Sequence, residues 1–299
     1  VTSSVRRLIV NADDFGIHAA RNQGVAEAVR AGVVTSVSLI ANLEGFDDAV
    51  ALLRSLPPVD VGLHFNLSEG RPLTEAHRTL VGPDGCFPGK VEARLRAVER
   101  LLEPAKAVDV FGAQLAPLRV AAGQLYAAEI VMDYAAQRIR LVQAGLEPTH
   151  VDGHQHIHVY GAVTETLLTC LCPSHWTRLP SEPDDPSADP PPARRAQIDE
   201  YRDLAERARG RFAAAGLRTA DHFRGLALSG RMTPEGLAEL VRGLPDGVTE
   251  LMVHPGRRAE GTTFDGADRE AELEALLSPE FRRALDEGGV ELIRRGQVA

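Results

Sequence analysis

Two stretches of this chain place polar side chains where a packed core has no use for them. The first is "LIVNADDFG", a strand-forming run from Leu8 that ends in adjacent carboxylates, Asp13 and Asp14. Neighbouring acids repel, so the pair is either a plain turn or helix cap, or it works with a cation or a proton. The second is "HVDGHQHIHV", which puts His150, Asp152, His154, His156 and His158 at every second position. On an extended strand all five would point to one face. Alternating histidines can be a half-exposed strand face, yet five ionisable groups on a buried face are satisfied cheaply by a divalent cation with carboxylate partners. Same-face neighbours on a strand are ~6.8 Å apart, so the row cannot converge on one ion. One or two ligands come from it and others from elsewhere, with Asp14 and His64 as the available candidates.

An Asp-His-His set leaves coordination positions open, as a site that performs chemistry requires. Imidazole with carboxylate suits Zn, Co, Ni or Fe, and a carboxylate-and-water shell also admits Mg or Mn. His254, in "LMVHPG", is delivered by an apolar strand to a Pro-Gly turn. Alone it reads equally well as a structural histidine; across a barrel mouth from a metal it is placed to donate a proton.

The elements that must carry these residues alternate along the chain. Strand patterns "RRLIVNA", "VVTSVSLIA", "VDVGLHFNL", "PTHVDGHQHIHV", "HWTRLPSEP", Thr219–Leu228 and "VTELMVHP" are separated by helical ones. Those helices include "ARNQGVAEAVRAG" with Gly32 as its C-cap, "FDDAVALLRSL", a long helical region from about Val91 to Gly145, Ala162–Cys172 and Ala196–Ala215. Thr233-Pro234-Glu235 and Ser278-Pro279-Glu280 each pair an N-cap with proline at N1 and open two more. Seven or eight βα units in one series predict a single barrel-like α/β domain over residues 1–299, with a proline-rich surface loop at about 180–193. In such barrels chemistry sits at the C-terminal strand ends. Asp13, Asp14, His64, Asn66, the histidine row, Arg178 and His254 all fall there. The strand-end geometry requires a break or bulge at the acid pair, with Phe15-Gly16 the natural place, because adjacent strand residues otherwise face opposite ways.

Composition narrows the partners. The 299 residues carry 33 Lys plus Arg against 42 Asp plus Glu, a net charge of −9, which argues against a nucleic-acid partner. No uncharged run approaches the ~18 residues of a membrane span, so a soluble, cytoplasmic protein with no membrane partner is expected. Cys86, Cys170 and Cys172 lack the spacing of a thiolate metal site and read as buried thiols.

Six blocks in order, "NADDFG", "TSVSLIAN", "GLHFNLSEGRPL", "THVDGHQHIHV", "TRLP" and "LMVHPG", resemble the YdjC-type carbohydrate deacetylases, a group that includes chitooligosaccharide deacetylases. The resemblance implies an irregular TIM-like (β/α) barrel related to polysaccharide deacetylases. It also implies one divalent metal ion, Mg or Zn, and hydrolysis of an N-acetyl group on an acetylated oligosaccharide. By position it makes Asp14, His64 and His154 the metal ligands, Asp13 the general base and His254 the general acid. Asp152, His156, Arg178 and Asn66 become supporting or substrate-contacting candidates, and a homodimer is what relatives suggest. The alternatives are a metal-dependent amidohydrolase acting on a non-sugar or lipid-linked amide, and a non-catalytic carbohydrate-binding protein.

Overall fold

The computed structural model describes residues 5–75, 77–99, 104–185, 188–259 and 266–298. Its centre is a curled parallel sheet. β1 (Arg6–Phe15), β2 (Ser36–Leu39), β3 (Asp60–Phe65), β4 (His150–Gly153), β5 (Trp176–Thr177), β6 (His222–Arg224) and β7 (Gly247–Val253) run in the order β5-β4-β3-β2-β1-β7-β6. The two edges approach through one parallel bridge, Trp176 with Arg218. A late strand, β8 (Val290–Leu292), pairs with the first residues of β1, and β2 takes over that edge from Asn11 onward. Sharing one edge between two strands makes the barrel irregular.

Around the sheet lie α1 (Ala19–Arg30), α2 (Phe46–Leu53), α3 (Lys90–Glu99), α4 (Pro104–Gln143), α5 (Gly161–Leu168), α6 (Pro192–Ala214), α7 (Pro234–Arg242), α8 (Ala267–Leu277) and α9 (Pro279–Gly288). The period-2 alternation of β1 separates its two faces. Leu8, Val10 and Ala12 join the main apolar core with residues of the helices, whereas Asn11 and Asp13 bond to polar groups inside the sheet's curl. Val61, Leu63 and Phe65 of β3 repeat the pattern and leave His64 to the interior. Among the described residues no helix is long and apolar enough to cross a membrane.

Several expected boundaries shift, each for a physical reason. β4 stops at Gly153, and His154–Val159 form a tight kinked turn in which Gln155 and His156 take left-handed φ of 54° and 60°. The five-residue row is therefore not one strand face. A Cβ on Gly153 would lie 2.7 Å from the His158 backbone nitrogen, so the chain can fold back there because residue 153 is glycine. The break in β1 falls at Asp14 itself, with φ of 64° and a register shift between Ala12 and Phe15, one residue before the expected place. β5 keeps two residues, since the prolines that follow offer no ladder donors. Helix α6 starts at Pro192, earlier than expected, because proline is tolerated in a first turn.

Among the described residues the region 91–145 holds two helices, and the side chains of 99–122 lie outside the described residues. The proline-rich loop is not all surface: Glu182 is buried and accepts from the Gly225 and Ala227 amides, both at 3.1 Å. Residues 186 and 187 of that loop also lie outside the described residues. Cys86 and Cys170 are part-exposed and Cys172 is exposed, so none is the buried thiol expected. The two Pro-N1 helices begin as predicted, with Thr233 Oγ1 accepting from Gly236 at 3.1 Å and Ser278 Oγ from Phe281 at 3.2 Å.

One close approach fixes where His254 sits. Helix α1 crosses under the turn after β7, and a Cβ on Gly24 would lie 2.4 Å from the Gly256 Cα. Gly24→Ala must push the turn away from the helix. It should lower urea-unfolding stability by about 2 kcal/mol, whereas Gly210→Ala, with nothing near its Cβ, should not destabilise.

Candidate active site

The strand ends converge on a cavity of about 190 Å³ whose buried floor is Asp13, Asp14, His64 and His154. His156 and His254 line its walls. The bulge at Asp14 turns two adjacent carboxylates into the same space. A left-handed backbone at a non-glycine residue costs on the order of 1 kcal/mol, and the site depends on it.

Two imidazoles face Asp14. His64 Nδ1 donates to Asp152 Oδ1 at 2.7 Å, which leaves Nε2 3.5 Å from Asp14 Oδ1. His154 places Nδ1 3.0 Å from the same oxygen and Nε2 3.2 Å from Glu69 Oε1. Each ring thus has a carboxylate behind it, the arrangement that orients metal-binding histidines. Asp14 Oδ1 is buried and makes no hydrogen bond in the described structure. One atom from each of Asp14, His64 and His154 lies within 4.8 Å of the others, and all three residues are buried. This donor set fits a divalent cation.

The electrostatics agree with the contacts. Burial alone would raise the Asp14 carboxyl, but the His154 and His64 rings outweigh it and hold the group well below the usual carboxylate range. Burial opposes charge on His64, yet Asp152 and Asp13 push its imidazole up to about 10. His154 is raised too, its burial outweighed by Asp14 and Glu69. Burial lowers His156 well below its ordinary value, with Arg178 and His158 acting the same way.

Asp13, with Oδ2 3.9 Å from His64 Nε2, is held by a different set of partners. Arg178 donates from Nη1 to Asp13 Oδ2 at 2.6 Å and from Nη2 to Oδ1 at 2.7 Å, and Asn11 Nδ2 adds a bond of 2.8 Å. Arg178 also reaches Asp152 Oδ2 and Glu250 Oε1, each at 2.8 Å. Asp152 Oδ2 in turn accepts from Ser38 Oγ at 2.9 Å. A second group, Asp13 with His64 and Asp152, meets the same distance test, but Arg178 already bridges its two acids.

His254 sits at the end of β7. Its backbone amide donates to Glu272 Oε2 at 2.6 Å, and its Nδ1 lies 3.8 Å from that oxygen. Glu272 is fully buried and also accepts from Arg269 Nη1 at 3.1 Å and the Gly230 amide at 3.0 Å. Burial would raise Glu272, but His254 and then Arg269 bring it down to about 2.

The remaining candidates are placed differently. His156 packs edge-on against Tyr201 with centroids 4.6 Å apart. His158 binds the Arg178 carbonyl at 2.9 Å and His150 meets Ser38 Oγ at 3.1 Å, both beneath the cavity. Asn66 does not line the cavity. Its amide bonds to Asn42 Oδ1 and the Glu69 carbonyl, and so shapes the loop that brings Glu69 to His154.

The family model described as YdjC-like protein matches residues 7–287. The chain belongs to the YdjC-like family. Its relatives include a carbohydrate deacetylase of Mus musculus, 36% identical over 96% of this chain and 93% of its own length. A carbohydrate deacetylase of Geobacillus stearothermophilus is 30% identical over 96% of each. A chitooligosaccharide deacetylase of Escherichia fergusonii is 35% identical over 52% of this chain and 51% of its own length. A crystal structure from Enterococcus faecalis V583 aligns with a TM-score of 0.70 and 22% identity, covering 99% of this chain and 100% of its own, and shares the fold.

In this YdjC-like chain, sequence reasoning passes over Glu69, Glu250 and Glu272. Glu69 lies inside the quoted block "GLHFNLSEGRPL", but nothing in its spacing to His154 signals the contact. Glu250 is a lone acid inside the apolar strand run "VTELMV", which is a readable sign of a buried partner. Glu272 sits on α8, a helix the strand-and-helix reading does not include.

A cation entering at Asp14 must displace the proton of His64, whose folded pKa lies near 10. Zn²⁺ affinity, measured by chelator competition between pH 5.5 and 7.5, should therefore rise at least about tenfold per pH unit. Binding should release protons to the buffer, and a flat pH profile would place the metal elsewhere.

Proposed function

We propose that this chain hydrolyses N-acetyl groups on acetylated carbohydrates, N-acetylglucosamine oligomers in particular, giving acetate and an amino sugar. The observation that carries the reading is the Asp14, His64 and His154 triad opening on the same cavity as Asp13 and His254. The names of the full-length relatives support the substrate class. We propose further that the whole catalytic apparatus belongs to one domain.

Two imidazoles and one carboxylate suit Zn²⁺ better than Mg²⁺, which prefers an all-oxygen shell. An ion held by Asp14, His64 and His154 would acidify water and polarise the acetyl carbonyl. Asp13 accepts the proton of the attacking water on a carboxylate whose orientation Arg178 and Asn11 fix. The water oxygen adds to the carbonyl carbon. His254 then delivers a proton to the amide nitrogen as the C–N bond breaks, so the sugar leaves as an amine rather than as an anion. Glu272 holds His254 through its backbone amide and lies 3.8 Å from Nδ1, where its charge faces the positive charge that the imidazole carries before transfer.

The test is acetate release from an N-acetylated sugar panel, using chelated protein reconstituted with individual metals. Release from N-acetylglucosamine oligomers is expected with Zn²⁺ and lost without metal; release only from a non-sugar amide contradicts the proposal. Asp13→Asn should lower kcat at least about 100-fold while leaving metal content unchanged, and His64→Ala should lose the metal. Glu272→Gln should lower kcat without changing metal content or the urea-unfolding midpoint, which a purely structural role would not do.

A further inference from the structure

We propose that Lys90 and Arg194 make the cavity rim select against sugars bearing a free amine next to the unit being processed. This rests on the deacetylase reading. The reaction turns a neutral acetamide into an amine that is protonated near neutral pH, so the charge of a neighbouring unit records whether it has already been processed.

Lys90 is the first residue of α3 and Arg194 lies in the first turn of α6; both line the cavity and are half-exposed at its edge, above the buried acids. Neither has a carboxylate in ion-pair range among the described residues. Among the described residues Arg194 donates to neutral acceptors, Gln197 Oε1 at 2.8 Å and the Ser229 carbonyl at 3.5 Å. The other charges nearby are already balanced. Arg269 is met by Glu272 at 3.1 Å, and Arg94 faces Glu200 at 3.9 Å. Glu69 is taken up by Gln155 at 2.7 Å and His154 at 3.2 Å. Burial first, then Arg94 and Arg194, bring the Lys90 amine down to about 8 against the weaker opposing pull of Glu200 and Glu69. At a half-exposed rim such cations act on a bound ammonium at short range, and salt weakens the effect.

A fully acetylated neighbour meets no such repulsion at the rim, whereas an ammonium there meets two cations with no carboxylate in ion-pair range among the described residues. The hydroxyl is the fitting neutral control, since it matches the amine in size and hydrogen bonding and differs in charge.

Calorimetric Kd values for the full chain, freed of metal by chelation so that no acetate is released, should be compared for both half-acetylated glucosamine disaccharides and for their analogues with hydroxyl in place of the free amine. At low salt and pH 7 the amine forms should bind about tenfold more weakly than the hydroxyl forms, with the gap shrinking in 1 M NaCl. In Lys90→Met/Arg194→Met the gap should fall to about twofold, and Lys90→Gln alone should close part of it. The ratio is taken within each protein, so a general loss of sugar affinity does not move it. Equal or tighter binding of the amine forms by the unaltered chain, or an undiminished gap in the double variant, overturns the proposal. Binding is read without turnover, so it stands apart from acetate release, which tests the deacetylase reading itself.

Discussion

The guanidinium of Arg178 is fully buried and touches three carboxylates: Asp13 through both oxygens, Asp152 and Glu250. Those acids come from β1, β4 and β7, so one side chain following β5 ties four strands across the interior of the curl. Arg295 extends the cluster, with Nη2 3.1 Å from Glu250 and a further bond to Ser36. A buried charge cluster of this kind is poor evidence of net stability, since desolvation offsets much of the attraction. Removing its centre is another matter, because three acids would be left facing each other in a low dielectric, at a cost of about 3–5 kcal/mol.

That single contact has two consequences at the cavity. It fixes Asp13 in orientation beside the triad, and it fixes Asp152, which in turn sets the ring of His64. The proposed proton acceptor and one of the proposed ligands are therefore positioned by the same group. His154 and His254 are set independently, by Glu69 from the loop after β3 and by Glu272 from α8. Each functional imidazole has its own acid behind it, and each acid arrives on a different element. The triad itself exists only because β1 bulges at Asp14, which lets two neighbouring residues share one space.

Much of this arrangement was legible in the sequence, and the limits follow from physics. Strand-end placement brought Asp13, Asp14, His64, Arg178 and His254 to one end of an α/β barrel, because apolar runs ending in polar residues mark where strands leave the core. The histidine row misled. Alternation at period 2 implies a strand, but Gly153 lets the chain reverse, so His154 reaches the cavity through a turn while His150 and His158 serve the interior beneath. The β1 bulge lies one residue before the Phe15-Gly16 break that the sequence suggests, since a glycine marks such a place and an aspartate in a left-handed conformation carries no such sign. The supporting acids Glu69 and Glu272 were invisible because their partners are distant in sequence, 85 and 18 residues away.

The most direct measurement is anomalous diffraction at the zinc edge from crystals of the Zn²⁺-loaded full chain. The account predicts a peak held by Asp14, His64 and His154, with Asp13 still paired to Arg178. A peak bonded to Asp13 and Asp152, or one away from the cavity, would contradict it.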